Sequence, residues 1–453
     1  MAATRIRFRP LDGAERSAPA GVAALPRVLE PEGEACSAAA LGTRLHAHAA
    51  ALVEHLREHG ALLIRGYDVS DARAFSEAMG QLAPFLRPLG DYFLAEDGRE
   101  PVAGACLCRE TNSFQRTGGY LRADVVPHAE NYYSSDVPEF VAFFCEAAPR
   151  VGGETGLFCA VRALALLPPA LRRKLEAERF DARVFRTRAE LAAACALPAG
   201  AGLDELARAA RAHGAASCEP VCDMPAMLEL RFAKPSIVAG AGARRTRGAL
   251  SLNAAELGAA GLGALSRELE RRVYADSPGW WLHRLLWRCA RTLPLIGRAL
   301  AFVDDLGPAL RRPLGAARCA ARARLRARAA ALSGGVRADG SARTLRAALR
   351  VHEAEVIGRA LGRSVSLVRW RAGDVLLVDN MSVLHDGMPG RPWEARTLRA
   401  MLFNAVALDD RCGGKPTRPG VLHLSSHTNT AGPLMNAAPS RSSPGTRPCA
   451  LVR

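Results

Sequence analysis

At 453 residues, with 49% of them hydrophobic, the chain can bury a large core and is too apolar to be disordered. Its formal charge of +16 does not make it a nucleic-acid binder: all but three of its 61 cationic residues are arginine, as in the drift of a GC-rich genome, and the densest basic run, 318–335, has no aromatic for a base to stack on. No apolar run reaches the about 20 residues of a membrane span, and "MAATRIRFRPLDGAERSAP" has no signal core, so a cytoplasmic protein without membrane contact is expected.

"LGTRLHAHAAALVEHLREHG" (41–60) has a helical period and stops at Gly60. "ALLIRGY" reads as a buried strand ended by Gly66, and "DARAFSEAMGQLAPFL" as a second helix. From about 101 to 160, short strand-like runs such as "FVAFFCEA" stand between turn signals, the mark of a β-rich core. Residues 161–215 return to helix-like Ala/Leu/Arg text, and "AMLELRFAKPSIVAG" is strand-like again. A helical insertion occupies about 255–350. Its Trp-rich part, 277–307, reads as a buried helix pair of a lid, with a surface helix for a membrane or partner as the alternative. "SVSLVRWRAGDVLLVDNMSVLHDG" and "ARTLRAMLFNAVAL" are strands joined by a Gly/Pro loop. The expected organisation is one domain over 1–410 and a loosely ordered polar tail over 411–453, with no internal repeat. The 12 cysteines are scattered, Cys106 and Cys108 being the one tight pair, and reduced thiols are expected.

The chemistry concentrates in "VVPHAENYYSSD" (125–136), which places His128 and Glu130 two apart in strand-like text. On a strand the two would project from one face, and Pro127 fits a strand start or edge. Burying a carboxylate beside an imidazole is costly unless a cation or hydrogen bonds satisfy both. Two imidazoles and one carboxylate on one face of an octahedron form the facial triad of non-haem Fe(II) oxygenases. Most other histidines are poor partners. His46, His48, His55 and His59 share one helix, His213, His283 and His352 lie in helix-like text, and His423 and His427 fall in the tail. His385 follows "GDVLLVDNMSVL", a turn and then a strand that delivers it to the end of a β-element.

Two further features fit such a centre. "GGET" (152–155) gives a tight turn, close backbone approach and the Thr155 hydroxyl. Arg396, on the strand after His385, offers a guanidinium fork for a carboxylate. A 2-oxo acid that chelates iron through its ketone and one carboxylate needs such a fork at its far end.

The ordered set "GALLIRGY", "PHAENYY", "AAPRVGGET", "WRAGDVLLVDNMSVLHDG" and "EARTLRAM" resembles the taurine dioxygenase-like (TauD/TfdA) family of Fe(II)/2-oxoglutarate-dependent oxygenases. Glu130 in place of the commoner Asp is similar to the clavaminate synthase-like members. The resemblance spans about 55–405, with a poorly matched interior from 165 to 365. It implies an α+β chain with a β-rich core, a double-stranded β-helix (jelly roll) carrying helical insertions. It makes His128, Glu130 and His385 the iron ligands and Thr155 and Arg396 the holders of 2-oxoglutarate, Arg399 being the second candidate.

The activity implied is hydroxylation of an unactivated C–H bond, coupled to conversion of 2-oxoglutarate and dioxygen to succinate and carbon dioxide. A carboxylate at 130, rather than the small residue of halogenating relatives, argues for hydroxylation. The expected substrate is an amino acid or a metabolite derived from one, free or on a carrier protein, as in bacterial secondary metabolism. Glu110 and Asn112 before the His-x-Glu segment, and Lys234 and Asn253 where relatives cover the site, are the candidates to face it. The competing readings are a non-catalytic binding protein on a jelly-roll scaffold and a basic interaction module acting through 277–335.

Overall fold

In the computed structural model the described residues are 7–88, 100–132, 137–273, 325–326, 328–329, 332 and 344–405, except 13–14, 16–24, 34, 84, 104–105, 111–114, 118–119, 123–124, 151, 240–247 and 389–395. The Trp-rich stretch 277–307 and the tail from 411 onward therefore lie outside the described residues.

In chain order the elements begin with β1 (Arg9–Pro10), β2 (Arg27–Leu29), α1 (Ala38–His59), β3 (Ala61–Ile64), α2 (Ala72–Gly80) and β4 (Leu86–Pro88). Then come β5 (Glu100–Ala103), β6 (Cys106–Glu110), β7 (Gln115–Thr117), β8 (Tyr120–Arg122), β9 (Phe140–Ala147) and β10 (Thr155–Cys159). The middle of the chain holds α3 (Ala160–Ala165), α4 (Pro169–Ala177), β11 (Arg179–Thr187), α5 (Arg188–Ala194), α6 (Leu203–Ala212), β12 (Ser217–Val221), β13 (Met224–Pro235), β14 (Ile237–Ala239) and β15 (Gly248–Leu250). A 3-10 turn at Ala254–Leu257 leads into α7 (Gly258–Arg272). After it come α8 (Leu345–Ala348), α9 (Val351–Arg363), β16 (Val365–Val368), β17 (Val375–Asp379), β18 (Val383–Gly387) and β19 (Thr397–Ala405).

Two sheets carry the core. The larger runs β1-β2-β3-β17-β9-β19-β6-β5, with β4 also on β19; the smaller runs β16-β10-β18. Alternation along β17 shows how they stack. Val375 and Leu377 pack with Leu45, Leu52 and Phe75 of α1 and α2. Leu376 and Val378 face the other way, onto Leu157, Val368 and Val383 of the small sheet. The far side of the small sheet, through Phe158, Leu367 and Leu384, is covered by Ala163, Leu265 and Ile357 of α3, α7 and α9. The order is thus helices, large sheet, small sheet, helices. Strands buried on both faces explain the unbroken apolar text of "ALLI" and "VLLV", where a half-exposed strand would alternate.

Helix α1 begins where Ser37 Oγ accepts the Ala40 N–H, and it ends at Gly60, whose φ of 86° is left-handed. The end at Gly60 follows the sequence expectation. Near the start of β17, Arg65 binds both oxygens of Asp374 and one of Glu15. All three residues are buried, so this ion cluster ties the N-terminal segment to the sheet.

One element departs from the sequence expectation. The text 161–215 contains a nine-residue strand, β11, in a separate sheet β11-β13-β12. Phe180 and the Ala182–Val184 pair face inward, the latter two against α5 and α6, while Arg183 and Asp181 pair with Glu229 and Arg231 on the opposite face. The period of two is present, but Ala- and Arg-rich helices on both sides obscure it. Among the described residues no helix is long and apolar enough to cross a membrane.

Candidate metal centre

His385 is the third residue of β18, paired across the small sheet with Leu157 of β10. His128 lies beyond the free edge of β18 and continues the sheet by one residue. Its N–H reaches His385 O at 3.2 Å, and the His385 N–H reaches His128 O at 3.0 Å. On its other side His128 bridges Asn253. Of the strand-like stretch 125–136, residues 133–136 lie outside the described residues, and 125–132 form no strand: His128 makes isolated bridges, and Glu130, Asn131 and Tyr132 form a turn with Asn131 at φ 52°. The extended backbone around His128 and Ala129 still brings His128 and Glu130 to the same side.

One donor atom from each of His128, Glu130 and His385 lies within 4.8 Å of the other two. Glu130 Oε2 is 3.6 Å from His385 Nε2, and the two imidazole centroids are 5.0 Å apart. His128 Nδ1 is 3.0 Å from the Val126 carbonyl. A carbonyl can only accept, so Nδ1 carries the proton and Nε2 presents its lone pair to the cluster. Glu130 and His385 are 1% and 5% exposed, a burial that a carboxylate tolerates when a cation joins it. The donor set, two imidazoles and one carboxylate, fits a ferrous ion and leaves room for further ligands.

Thr155 and Arg396 meet beside this cluster. Thr155 opens β10 opposite Gly387, two residues along β18 from His385, which at about 3.4 Å per residue is roughly 7 Å. Thr155 Oγ1 accepts from Trp370 Nε1 at 3.0 Å and from Arg396 Nη2 at 3.1 Å. Both lone pairs are thereby used, and the hydroxyl proton is left to donate. Arg396 Nε donates to the Gly153 carbonyl at 2.6 Å. Gly153 holds φ 64°, and a Cβ there would lie 2.8 Å from Pro149 Cγ and 3.1 Å from Arg396 Cδ, so the glycine lets the guanidinium stem pass. Arg399 is placed differently: it pairs with Glu146 from β19, on a partly exposed stretch.

The substrate candidates scatter. Asn253 adjoins His128 through backbone pairing, but its Oδ1 caps the 3-10 turn by accepting the Ala255 N–H at 2.9 Å. Lys234 stands on β13 opposite Phe180, in the separate β11-β13-β12 sheet. Glu110 ends β6 opposite Thr397, and Asn112 lies outside the described residues. Three residues that sequence reasoning passed over support the site: Trp370 on Thr155, Asn380 on Glu130 and Asp386 on Val126. The last two lie within the quoted "VDNMSVLHDG", polar residues in an otherwise apolar run, which is the signal that could have found them. Farther out, Tyr132 donates to Glu256 at 2.7 Å, and burial pushes the Glu256 carboxyl up to about 7 against that bond. Burial also pushes the Cys145 thiol up to about 12, so this cysteine behind the site is an inert core residue.

Residues 29–223 match the model of the taurine catabolism dioxygenase TauD, TfdA family. That segment, under half of the chain, is similar to the TauD/TfdA family. It contains His128, Glu130 and Thr155 and stops short of His385. The matching model is that of a dioxygenase family, and His128, Glu130 and His385 form a group that could hold a metal ion. No curated protein matches the chain. Similar solved structures include PvcB from Pseudomonas aeruginosa, an Fe, alpha-ketoglutarate dependent oxygenase from an isonitrile synthetic pathway. It is 15% identical, with 89% of this chain and 93% of that chain covered at a TM-score of 0.43. A taurine dioxygenase from Burkholderia xenovorans is 11% identical over 90% of this chain and 92% of that one, at a TM-score of 0.42. Likenesses at this level assign no residue and no substrate.

Proposed function

We propose that the chain is a hydroxylase that oxidises an unactivated C–H bond of a small molecule, an amino acid or amino-acid-derived metabolite, free or carried on a partner protein. The observation that carries this reading is the convergence of His128, Glu130 and His385 within 4.8 Å, with the Thr155–Arg396 pair two residues along β18. The facing sheets support a double-stranded β-helix as the fold, built from one domain over 1–410, and a cytoplasmic location goes with this reading.

When bound, Fe(II) with 2-oxoglutarate and dioxygen supplies the oxidising equivalents, and succinate and carbon dioxide leave. The chain's own residues bind and orient. His128 and His385 present imidazole lone pairs, His128 through the nitrogen left by its bond to Val126. Glu130 offsets the metal's charge inside the sandwich. The Arg396 guanidinium, held by Gly153 and Thr155, takes the far carboxylate of 2-oxoglutarate, and the Thr155 hydroxyl adds a donor. Phe143, its ring centroid 5.1 Å from that of His385, helps keep water from the reacting centre.

The test is succinate formation from 2-oxoglutarate across a panel of amino acids, free and loaded on a carrier protein. The expected result is substrate-dependent succinate matched by a hydroxylated product. A metal-loaded protein that releases no succinate, even slowly and without substrate, contradicts the reading.

A further inference from the structure

His128 and Glu130 sit on a segment that joins its neighbours only through isolated bridges at His128, yet a metal ligand has to keep its aim within about 0.5 Å. Asn131, the next residue, holds φ 52°, so the chain turns away immediately after Glu130 and no ladder continues the segment. Contacts from outside the segment fix it.

The β17–β18 connection, which passes from the large sheet to the small one, does so at three points, beside the backbone bonds that Pro127 and Ala129 make with Ala254 and Leu252. Asp386 Oδ2 accepts the Val126 N–H at 2.5 Å. His385 exchanges its two backbone bonds with His128. Asn380, 2% exposed in the turn between β17 and β18, grips Glu130 itself. Its Oδ1 accepts the Glu130 N–H at 2.6 Å, and its Nδ2 donates to the carbonyls of Glu130 at 3.0 Å and Pro138 at 2.8 Å. Its own N–H is anchored on Glu139 O at 2.9 Å. The primary amide spends one acceptor and both donors on the backbone around one carboxylate, a combination that neither an acid nor an aliphatic of that size can supply.

We propose that Asn380 is a positioning residue for the metal centre: by clamping the backbone N–H and carbonyl of Glu130 it fixes the direction of the Glu130 side chain toward the point where the His128 and His385 nitrogens meet. The inference rests on the reading of the triad as a metal site. Supporting groups of this kind are worth about 10–100-fold in metal affinity.

The test uses the full chain without metal, titrated with Co(II) as a spectroscopic stand-in for Fe(II), together with thermal unfolding of the metal-free protein and amide exchange at Glu130. Asn380→Ala is expected to weaken Co(II) binding by about 10–100-fold and to speed exchange of the Glu130 amide. Asn380→Asp keeps the acceptor and volume but loses both donors; it is expected to weaken Co(II) binding as well and decides the matter if the alanine variant does not fold. Ser366→Ala is the control for stability alone. It removes a buried hydroxyl bonded to the Leu25 carbonyl at 2.6 Å on the far strand β16, and is expected to lower the unfolding temperature while leaving Co(II) affinity unchanged. If folded Asn380 variants bind Co(II) within twofold of wild type, or if Ser366→Ala weakens it equally, the positioning role is wrong. If the wild type binds no Co(II), the metal-site reading itself falls.

Discussion

His385 and the His128–Glu130 pair reach one point by different means. His385 is carried by a strand: β18 pairs with β10 over five residues, and the position is set by a ladder. His128 and Glu130 are carried by a turn with one bridging residue, held by Asp386, His385 and Asn380 of the β17–β18 connection and by backbone bonds to Leu252 and Ala254. A ladder holds its residues collectively, and the loss of one side chain leaves the register in place. A turn held at separate points, two of them side chains, depends more on each. The β17–β18 connection thus carries one candidate ligand directly and helps set the bearing of the other two.

The largest expected effect is on the ladder side. His385→Ala removes a ligand but leaves every backbone bond of β18, so metal binding should fall by more than the about 100-fold of a supporting residue while the metal-free protein unfolds near its normal temperature. Titration calorimetry beside a melting curve reads both. Stability responds next, in the large sheet. Arg65→Ala leaves Asp374 and Glu15 buried without their shared guanidinium and should cost about 3–5 kcal/mol in urea unfolding.

A smaller effect separates the two arginines. Arg396→Leu should raise the KM for 2-oxoglutarate by tenfold or more, the equivalent of about 1.5–3 kcal/mol for hydrogen bonds to a charged group. Arg399→Leu breaks a part-exposed pair with Glu146, worth under about 1 kcal/mol, and should leave that KM unchanged. A KM that moves with Arg399 and not with Arg396 would reverse the assignment.

A further effect is a pH slope. The Glu256 carboxyl is pushed from its ordinary 4.5 to about 7 by burial. Between those values the folded chain keeps a proton that the unfolded chain has lost, so this group's contribution to stability falls as pH rises through the window and is fully lost above it. Glu256→Gln should flatten that part of the stability curve; an unchanged slope would place the titration elsewhere.

Much of this was legible in the sequence because buried strands and capped helices announce themselves. "ALLI", "FVAFFCEA" and "VLLVD" are strands, Gly60 ends its helix, and His385 sits on a strand as its text suggests. The pairing of Thr155 with Arg396 also follows the motif order. What escaped did so for stated reasons. The spacing of His128 and Glu130 fits a strand, but an extended residue followed by a turn alternates just as well over so short a distance, and only the facing β17–β18 connection distinguishes the two. β11 was lost in Ala/Arg-rich surroundings. Asn380 and Asp386 act on backbone atoms hundreds of positions away, which no local pattern reports.

The most direct test of the central claim is the visible spectrum of the chain with Fe(II) and 2-oxoglutarate under strict exclusion of oxygen. The convergence of His128, Glu130 and His385 predicts a weak metal-to-ligand charge-transfer band in the wild type that disappears in His128→Ala. A band that survives His128→Ala, or a wild-type protein that never develops one, would contradict it.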